Sequence, residues 1–94
     1  MEKNRRQKQV GSVLKRAISE YLEGALDFEA FGLVTVIDVT ISPQRSKADI
    51  WVSALQSNAK LQGNLDSLIH GVSQVIQKYI HAKRRVEIEF HIAG

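Results

Sequence analysis

The chain of 94 residues contains no cysteine and only a single proline, tryptophan and methionine. Without cysteine, a disulfide framework, a thiolate nucleophile and a Cys-based zinc site are all excluded, and a reducing compartment suits the chain. Long apolar runs are also missing: no stretch approaches the roughly 18 apolar residues that a membrane span needs. The start, MEKNRRQKQV, has the charges of a signal peptide without its apolar segment. We therefore expect a cytoplasmic protein with no membrane contact.

The motifs of catalysis and of cofactor binding are missing as well. No phosphate-binding loop, nucleophile elbow or dinucleotide fingerprint occurs. His70, His81 and His91 are separated by 11 and 10 residues, which matches no recognised metal-ligand spacing. Glu87 and Glu89 share one face of a predicted strand, but the bases just before them make charge balance the simpler interpretation. We expect no enzyme, no metal, no cofactor and no small-molecule substrate.

Charge is present but unevenly distributed. The chain carries a net charge of +3, and its length suits one domain spanning residues 1–94. Residues 1–16 carry +5, residues 17–70 carry −4 and residues 71–94 carry +2. A surface with basic ends would attract a polyanion in a salt-dependent way. The alternative is that these charges only keep the protein soluble.

The first half of the chain predicts a helix followed by a hairpin. Apolar residues recur at helical spacing over residues 10–26, after a flexible basic start at residues 1–8, and a loop follows at residues 28–32. Residues 33–42 and 48–55 predict two antiparallel strands, joined by a turn at residues 42–46 with Arg45 and Lys47 near its tip. Four residues of the first strand are predicted to face the core: Thr35, Ile37, Val39 and Ile41.

Trp51 points away from that core in the predicted second strand. An exposed tryptophan is a candidate stacking surface for a base. We favour the interpretation that Trp51 is covered by a loop or by Val36.

The second half predicts two helices and a last strand. Residues 57–63 predict a polar linker, and apolar residues then keep helical spacing over residues 61–80. Gly71 and Ser73 interrupt this run and predict a kink that divides it into two short helices. Val86 begins an alternating strand that ends near Ile92. The predicted order is α-β-β-α-α-β, an α+β protein.

This order is that of the type II KH domain, in which a GXXG loop between two consecutive helices clamps the nucleic-acid backbone. The loop is expected at residues 70–74, which read His-Gly-Val-Ser-Gln and contain a single glycine. The apolar stripe runs through them. The sequence therefore predicts a KH-like fold with a kinked helix pair in place of the GXXG clamp.

A KH-like chain without the clamp resembles the ribosome-binding factor A family. The matching stretches are GLVTVIDVTIS at residues 32–42 and ADIWVS at residues 48–53, with a basic start, a helix pair at residues 65–80 and a last strand at residues 86–90. The family's alanine, variable residue and glycine at the kink read Val72, Ser73 and Gln74 here. Asp27 is followed by Phe28 instead of proline, and Val86 replaces a proline before the last strand. The chain resembles a divergent member, or one without the flexible tail that many members carry.

The resemblance implies a monomeric assembly factor that binds the immature small ribosomal subunit and its rRNA during late maturation. The resemblance and the charge pattern indicate the same basic residues as phosphate contacts. These residues are Arg5, Arg6, Lys8, Lys15, Arg16, Arg45, Lys47, Lys83, Arg84 and Arg85. Phosphate contacts position a protein and carry little sequence information, so specificity would come from surface fit. One alternative is a protein-interaction module that docks a partner through the hairpin edge and Trp51. Another is a DNA-binding domain, which is less favoured because neither the second helix, at residues 61–70, nor the third shows the polar base-reading face of a recognition helix.

Overall fold

The computed structural model describes residues 2–56, 59–80 and 84–93, and of residues 2–10 and Phe28 it describes the backbone only. The predicted order of helices and strands is confirmed, with one additional short helix. No helix in these ranges is long and apolar enough to cross a bilayer. The elements are α1 Glu2–Ala25, α2 Phe28–Phe31, β1 Val34–Ile41, β2 Lys47–Ala54, α3 Ala59–Ser67, α4 Ile69–Gln77 and β3 Glu87–Ile92.

Helix α1 is the longest element and packs on the sheet through a narrow apolar stripe. Leu14, Ile18 and Leu22 recur every four residues and are completely buried, which places them on one face of the helix. Its 24 residues correspond to about 36 Å at the usual helical rise. The longest dimension of the protein is 40 Å, so α1 runs along almost the whole molecule. Its backbone is already helical in the predicted flexible start.

The loop predicted after α1 contains a single helical turn, α2. The Asp27 carboxylate accepts a hydrogen bond from the Glu29 N–H at 2.9 Å, and the Asp27 carbonyl accepts one from the Phe31 N–H at 3.1 Å. An aspartate that binds the free N–H groups of a first turn is a common helix start. The turn places Phe31 in the core, and Gly32 ends it with a φ of 67° that favours glycine.

Within the part of the chain that the structure describes, three strands form one sheet in the order β1-β2-β3. Strands β1 and β2 form the predicted antiparallel hairpin, and β3 runs parallel to β2. Helix α1 packs on β1, whereas α3 and α4 pack on β3, and the buried strand residues belong to the same apolar cluster as the buried helix residues. The helices therefore cover one face of the sheet, and none of the described helices covers the other, which we call the open face.

The prediction of which β1 residues face the core is wrong for the first half of the strand. Val34, Val36 and Val39 are buried, whereas Thr35 and Ile37 are exposed. The strand contains a β-bulge: Val36 pairs with Val52 but Asp38 pairs with Trp51, so Ile37 is an extra residue. One extra residue exchanges the two faces of a strand. Val39 and Ile41 therefore face the core as predicted, but the positions before the bulge do not.

The predicted kink at Gly71 and Ser73 is also wrong, because the helix breaks earlier. Leu68 separates α3 from α4 with φ −97° and ψ 2°, and its N–H bonds to the Leu65 carbonyl at 3.0 Å, only three residues back. The Ser67 hydroxyl donates to the Asn64 carbonyl at 2.7 Å, so it competes with the regular helical bond there. The break lets α3 pack on β3 while α4 packs against α1.

Gly71 has a packing role instead. A Cβ atom at this position would overlap the phenol end of Tyr21 of α1, so any side chain here would have to displace that ring. Ser73 lies within α4 and is buried. The predicted linker at residues 57–63 is too long, because α3 begins at Ala59.

Candidate nucleic-acid interface

The hairpin turn and the segment that enters β3 lie side by side. The Glu87 N–H donates to the Ser46 carbonyl at 2.9 Å, which joins residues 42–47 to residues 84–87 at one end of the sheet. We call these residues the hairpin end. Arg45 of the turn and Arg84 and Arg85 before β3 are exposed there. Arginines about 40 positions apart in the sequence are therefore neighbours in the fold.

Hydrogen bonds to Ser42 hold the hairpin turn in one conformation. The Ser42 hydroxyl accepts hydrogen bonds from the backbone N–H groups of Ser46 at 3.0 Å and Lys47 at 3.1 Å. The Arg45 N–H bonds to the Ser42 carbonyl at 2.8 Å, with Pro43 at the position that turns favour. Arg45 has a φ of 57°, which points to a conformation set by the turn. The side chain of Arg45 therefore projects from an ordered tip.

Helix α1 brings a third basic segment toward the same end. A Cβ atom at Gly11 would lie 3.5 Å from the Val39 carbonyl, whereas Leu22 and Leu26 line a cavity with Val34 at the opposite end of β1. The helix is therefore antiparallel to β1, and its N-terminal half points to the hairpin end. It continues for about 14 Å beyond Gly11 at the helical rise. The side chains of Arg5, Arg6 and Lys8 lie outside the described residues, as does all of Lys83.

The acids at the C-terminal end of α1 and just after it lie at the opposite end of the molecule. Glu23 lines the cavity that also contains Gly32, and Asp27 and Glu29 follow in the chain. The molecule thus has a basic hairpin end and an acidic far end. This arrangement would orient the protein as it approaches a polyanion.

The other basic residues predicted to contact RNA differ in whether an acidic side chain of the protein already neutralises them. Lys15 is exposed and forms no ion pair with another described residue. Arg16 lies 3.4 Å from Glu20, with both side chains largely exposed, so solvent screens the pair and it contributes little. Lys47 is held by Glu89 at 2.8 Å. Lys47 therefore contributes less positive charge to the hairpin end than its sequence position suggests.

Arg85 has a partner that sequence analysis did not find. Its Nη2 donates to Nδ1 of His70 at 3.0 Å, so Nδ1 is the acceptor and the neutral ring carries its hydrogen on Nε2. The side-chain amide nitrogen of Gln74 lies 3.3 Å from that Nε2. Because Nε2 of His70 is then a donor, the Gln74 amide is assigned in the flipped orientation, with its oxygen as the acceptor. A chain of Gln74, His70 and Arg85 fixes the arginine. His70 and Arg85 are 15 residues apart, so no local pattern could have indicated the contact.

Trp51 is exposed on the open face, contrary to the prediction that it is covered. Its exposed fraction is 40%, and Val36 lies on the opposite, buried face. The indole stacks on the His91 ring with centroids 4.3 Å apart and planes at 23°. His91 donates from Nε2 to Asp49 at 2.8 Å, so the carboxylate holds the histidine against the tryptophan.

The open face also contains an ion-pair network. Asp49, Glu89 and His91 each place a possible metal-ligand atom within 4.8 Å of the others. The Lys47 ammonium lies among them, 2.8 Å from Glu89 and 3.7 Å from Asp49, and supplies the positive charge there. Its hydrogen bond and charge lower the pKa of the Glu89 carboxyl below its ordinary 4.5. The hydrogen bond to Glu89 and the charge of Asp49 raise the pKa of Lys47 above 10.5.

We expect Glu89→Gln to lower stability at about pH 7 and to have a smaller effect at about pH 3. A carboxyl whose pKa is lowered by folding stabilises the protein above its unfolded pKa, and that contribution is lost as the pH falls through the folded value. Urea unfolding of both proteins at the two pH values measures the difference. Glu23→Gln, which removes an exposed acid of α1 outside this ion-pair network, is the matched control for the loss of one negative charge. An equal loss of stability at both pH values would contradict the assignment.

No family model and no curated protein sequence matches the chain. Solved structures do. The crystal structure of ribosome-binding factor A from Thermus thermophilus matches with a TM-score of 0.77 and 21% identity, over 92% of this chain and 94% of that one. The chain has the fold of ribosome-binding factor A.

Two further structures support the same fold. A homology model of the Thermus thermophilus ribosome-binding factor A, fitted into a cryo-EM map of its complex with 30S, matches with a TM-score of 0.72 and 22% identity. It covers 86% of this chain and 88% of that one. A solution NMR structure of a Thermotoga maritima protein, proposed to be a ribosome-binding factor A, matches with a TM-score of 0.64 and 22% identity, over 90% and 80% of the two chains.

The KH-like α+β fold predicted from the sequence is therefore confirmed. The absence of a GXXG loop at residues 70–74 is confirmed as well, because these residues lie within helix α4. The clamp of a KH domain cannot form there.

Proposed function

We propose that this chain is a member of the ribosome-binding factor A family that binds the immature small ribosomal subunit and its rRNA and promotes late maturation of that subunit. The observation that carries the proposal is the similarity to ribosome-binding factor A over 92% of the chain. One of the similar structures was fitted into a map of a complex with 30S. The basic hairpin end gives the proposal a physical basis that does not depend on the similarity.

The proposed contact uses the hairpin end. Arg45, Arg84 and Arg85 would pair with phosphates, and α1 would extend its basic N-terminal half along the same RNA surface. Arginine suits this role because its planar fork can donate two hydrogen bonds to one phosphate. With helix α4 in place of a clamp, the protein would recognise the shape of folded RNA rather than the sequence of a single strand.

Maturation would follow from positioning, because the proposal assigns no catalytic step to the chain. Binding at the hairpin end would stabilise the RNA conformation that fits the basic surface, and the acidic far end would stay away from phosphates. We propose that the protein acts as a monomer in the cytoplasm. Its effect on the subunit would then be a shift in the population of RNA conformations.

Sedimentation with separated ribosomal subunits and with free rRNA tests the proposal. We expect the chain to co-sediment with small subunits at about 50 mM salt, and to lose roughly 100- to 1,000-fold in affinity at about 200 mM, as four or five phosphate contacts would require. Immature small subunits should bind more of the protein than mature ones. Equal binding to large subunits, or binding that is insensitive to salt, would refute the assignment.

A further inference from the structure

The open face differs in charge from the rest of the protein. Its side chains follow from the strand pairing: Asp38 lies beside Trp51, which lies beside His91, and Asp49 lies beside Glu89. Glu87 pairs with Lys47 at the hairpin end of the same face. Among the residues that the structure describes, this face carries four carboxylates against the single ammonium of Lys47. The protein as a whole has a charge of +3, so the net negative charge of this face contrasts with the exposed arginines of the hairpin end, which it adjoins at Lys47 and Glu87.

The centre of this face is the exposed surface of Trp51. One side of the indole is stacked on His91, which Asp49 holds by its hydrogen bond. The ring is therefore fixed before any partner arrives, and little side-chain entropy remains to be lost on binding. The exposed bulge residue Ile37 lies next to Asp38, the strand partner of Trp51. Trp51 is four residues from Lys47, or about 13 Å along an extended strand.

These features select a cationic partner over a nucleic acid. A base stacked on Trp51 would bring its phosphates close to Asp38 and Asp49, and like charges repel. An arginine can place its guanidinium over the indole and donate to a neighbouring carboxylate at the same time. An arginine-rich segment would also be repelled by the arginines of the hairpin end. Of the two acidic surfaces, the open face is the one that also presents Trp51, so this face is where the segment would bind.

We propose that the open face of the sheet is a docking site for an arginine-rich protein segment, with one guanidinium stacked on Trp51 and its neighbours paired with the carboxylates around it. This site uses other side chains than Arg45, Arg84 and Arg85 of the proposed RNA-binding surface, and the two surfaces adjoin at Lys47 and Glu87. The chain would thus contact RNA with one end and a basic protein with one face. The interaction is weak and transient, because a single exposed aromatic ring and surface charges support only modest affinity.

Fluorescence with a labelled hexa-arginine peptide tests this site. Trp51 is the only tryptophan of the chain, so a change in its emission reports binding at this face, while the anisotropy of the labelled peptide measures affinity. We expect the peptide to bind and to quench Trp51. Hexa-lysine of equal charge should bind roughly three-fold more weakly, because an ammonium lacks the flat stacking surface of a guanidinium. A single-stranded RNA of ten nucleotides should leave Trp51 emission unchanged.

Two double variants test whether the peptide binds to this face or responds only to the net charge of the protein. Asp38→Asn with Glu87→Gln should weaken peptide binding roughly five-fold. The asparagine amide keeps an oxygen in place of the Asp38 carboxylate oxygen that accepts the Val39 N–H at 2.9 Å. Glu23→Gln with Glu29→Gln removes the same charge from the helical side and should leave binding unchanged. Trp51→Phe should retain part of the affinity.

The outcomes are decisive in both directions. Site-specific loss with the Asp38 and Glu87 pair, together with quenching of Trp51, supports the proposal. An equal loss with the Glu23 and Glu29 pair, no binding of the peptide, or quenching of Trp51 by the RNA and not by the peptide overturns it. Failure to sediment with ribosomal subunits would leave these measurements unaffected, so the two proposals fail separately.

Discussion

Arg84→Glu combined with Arg85→Glu is expected to abolish co-sedimentation with small ribosomal subunits, a loss of affinity of roughly 100-fold or more at low salt. Both side chains are exposed beside the hairpin turn. The substitutions replace two attractions to phosphate with two repulsions. Quantitative sedimentation at about 50 mM salt measures the loss.

Matched variants distinguish the loss of a contact from the loss of net charge. Arg84→Glu and Lys60→Glu change the net charge equally. Lys60 lies in α3, four residues after Gln56, whose N–H bonds to the Phe31 carbonyl at the far end of the sheet. We expect Arg84→Glu alone to weaken binding about ten-fold, whereas Lys60→Glu should have only a small effect. Equal losses would show that overall charge, and not the hairpin end, determines binding.

The conservative substitution Arg85→Lys separates positioning from charge. Lysine keeps the positive charge but cannot reproduce a guanidinium fixed by His70. If the contact with His70 at 3.0 Å positions the arginine for phosphate, both Arg85→Lys and His70→Ala should weaken binding by a few-fold at unchanged stability. Unchanged affinity in both variants would show that the contact has no role in binding.

Gly71→Ala is expected to destabilise the protein by about 2 kcal/mol, because the new methyl group must displace Tyr21 from a packed position. If Gly71 only weakened the helix, as the sequence suggests, alanine would stabilise it by up to about 1 kcal/mol. The two interpretations therefore predict opposite signs. Urea unfolding measures the free energy directly.

A double-mutant cycle with Tyr21→Ala identifies the cause. With the phenol ring removed, Gly71→Ala should become stabilising, and the coupling between the two sites should be about 3 kcal/mol. Gly63→Ala is the matched control, because Gly63 also lies inside a helix and no described atom would lie within 4 Å of its Cβ. Destabilisation by Gly71→Ala that persists in the Tyr21→Ala background would contradict the packing role.

Local patterns explain why much of the fold was predictable. The burial of Leu14, Ile18 and Leu22 follows from their spacing alone, and so does that of Ile88 and Phe90 in β3. The turn at residues 42–46 was predictable because proline and serine favour it. The helix pair in place of a GXXG loop was predictable because apolar residues continue through residues 70–74.

The errors occurred where distant residues decide the local geometry. A bulge at Ile37 depends on how β1 pairs with β2, and the alternation of one strand does not reveal it. The break at Leu68 accompanies a difference in packing, because both helices pack on β3 but α4 also packs against α1. Gly and Ser indicate only a general weakness of a helix. Trp51 is exposed because the described helices cover the other face of the sheet.

Some features of the candidate site could likewise be predicted from the sequence, and others could not. The sequence by itself determined that the chain is a basic α+β protein, which segments carry positive charge, and that the GXXG clamp is missing. These properties depend on composition and short-range periodicity. Only the tertiary structure decided that the hairpin turn, the entry to β3 and the start of α1 point to one end, that Lys47 is engaged by Glu89 while His70 holds Arg85, and that acids surround Trp51. The physical reason is that side-chain contacts form between residues far apart in the chain, and their distances depend on packing rather than on sequence separation.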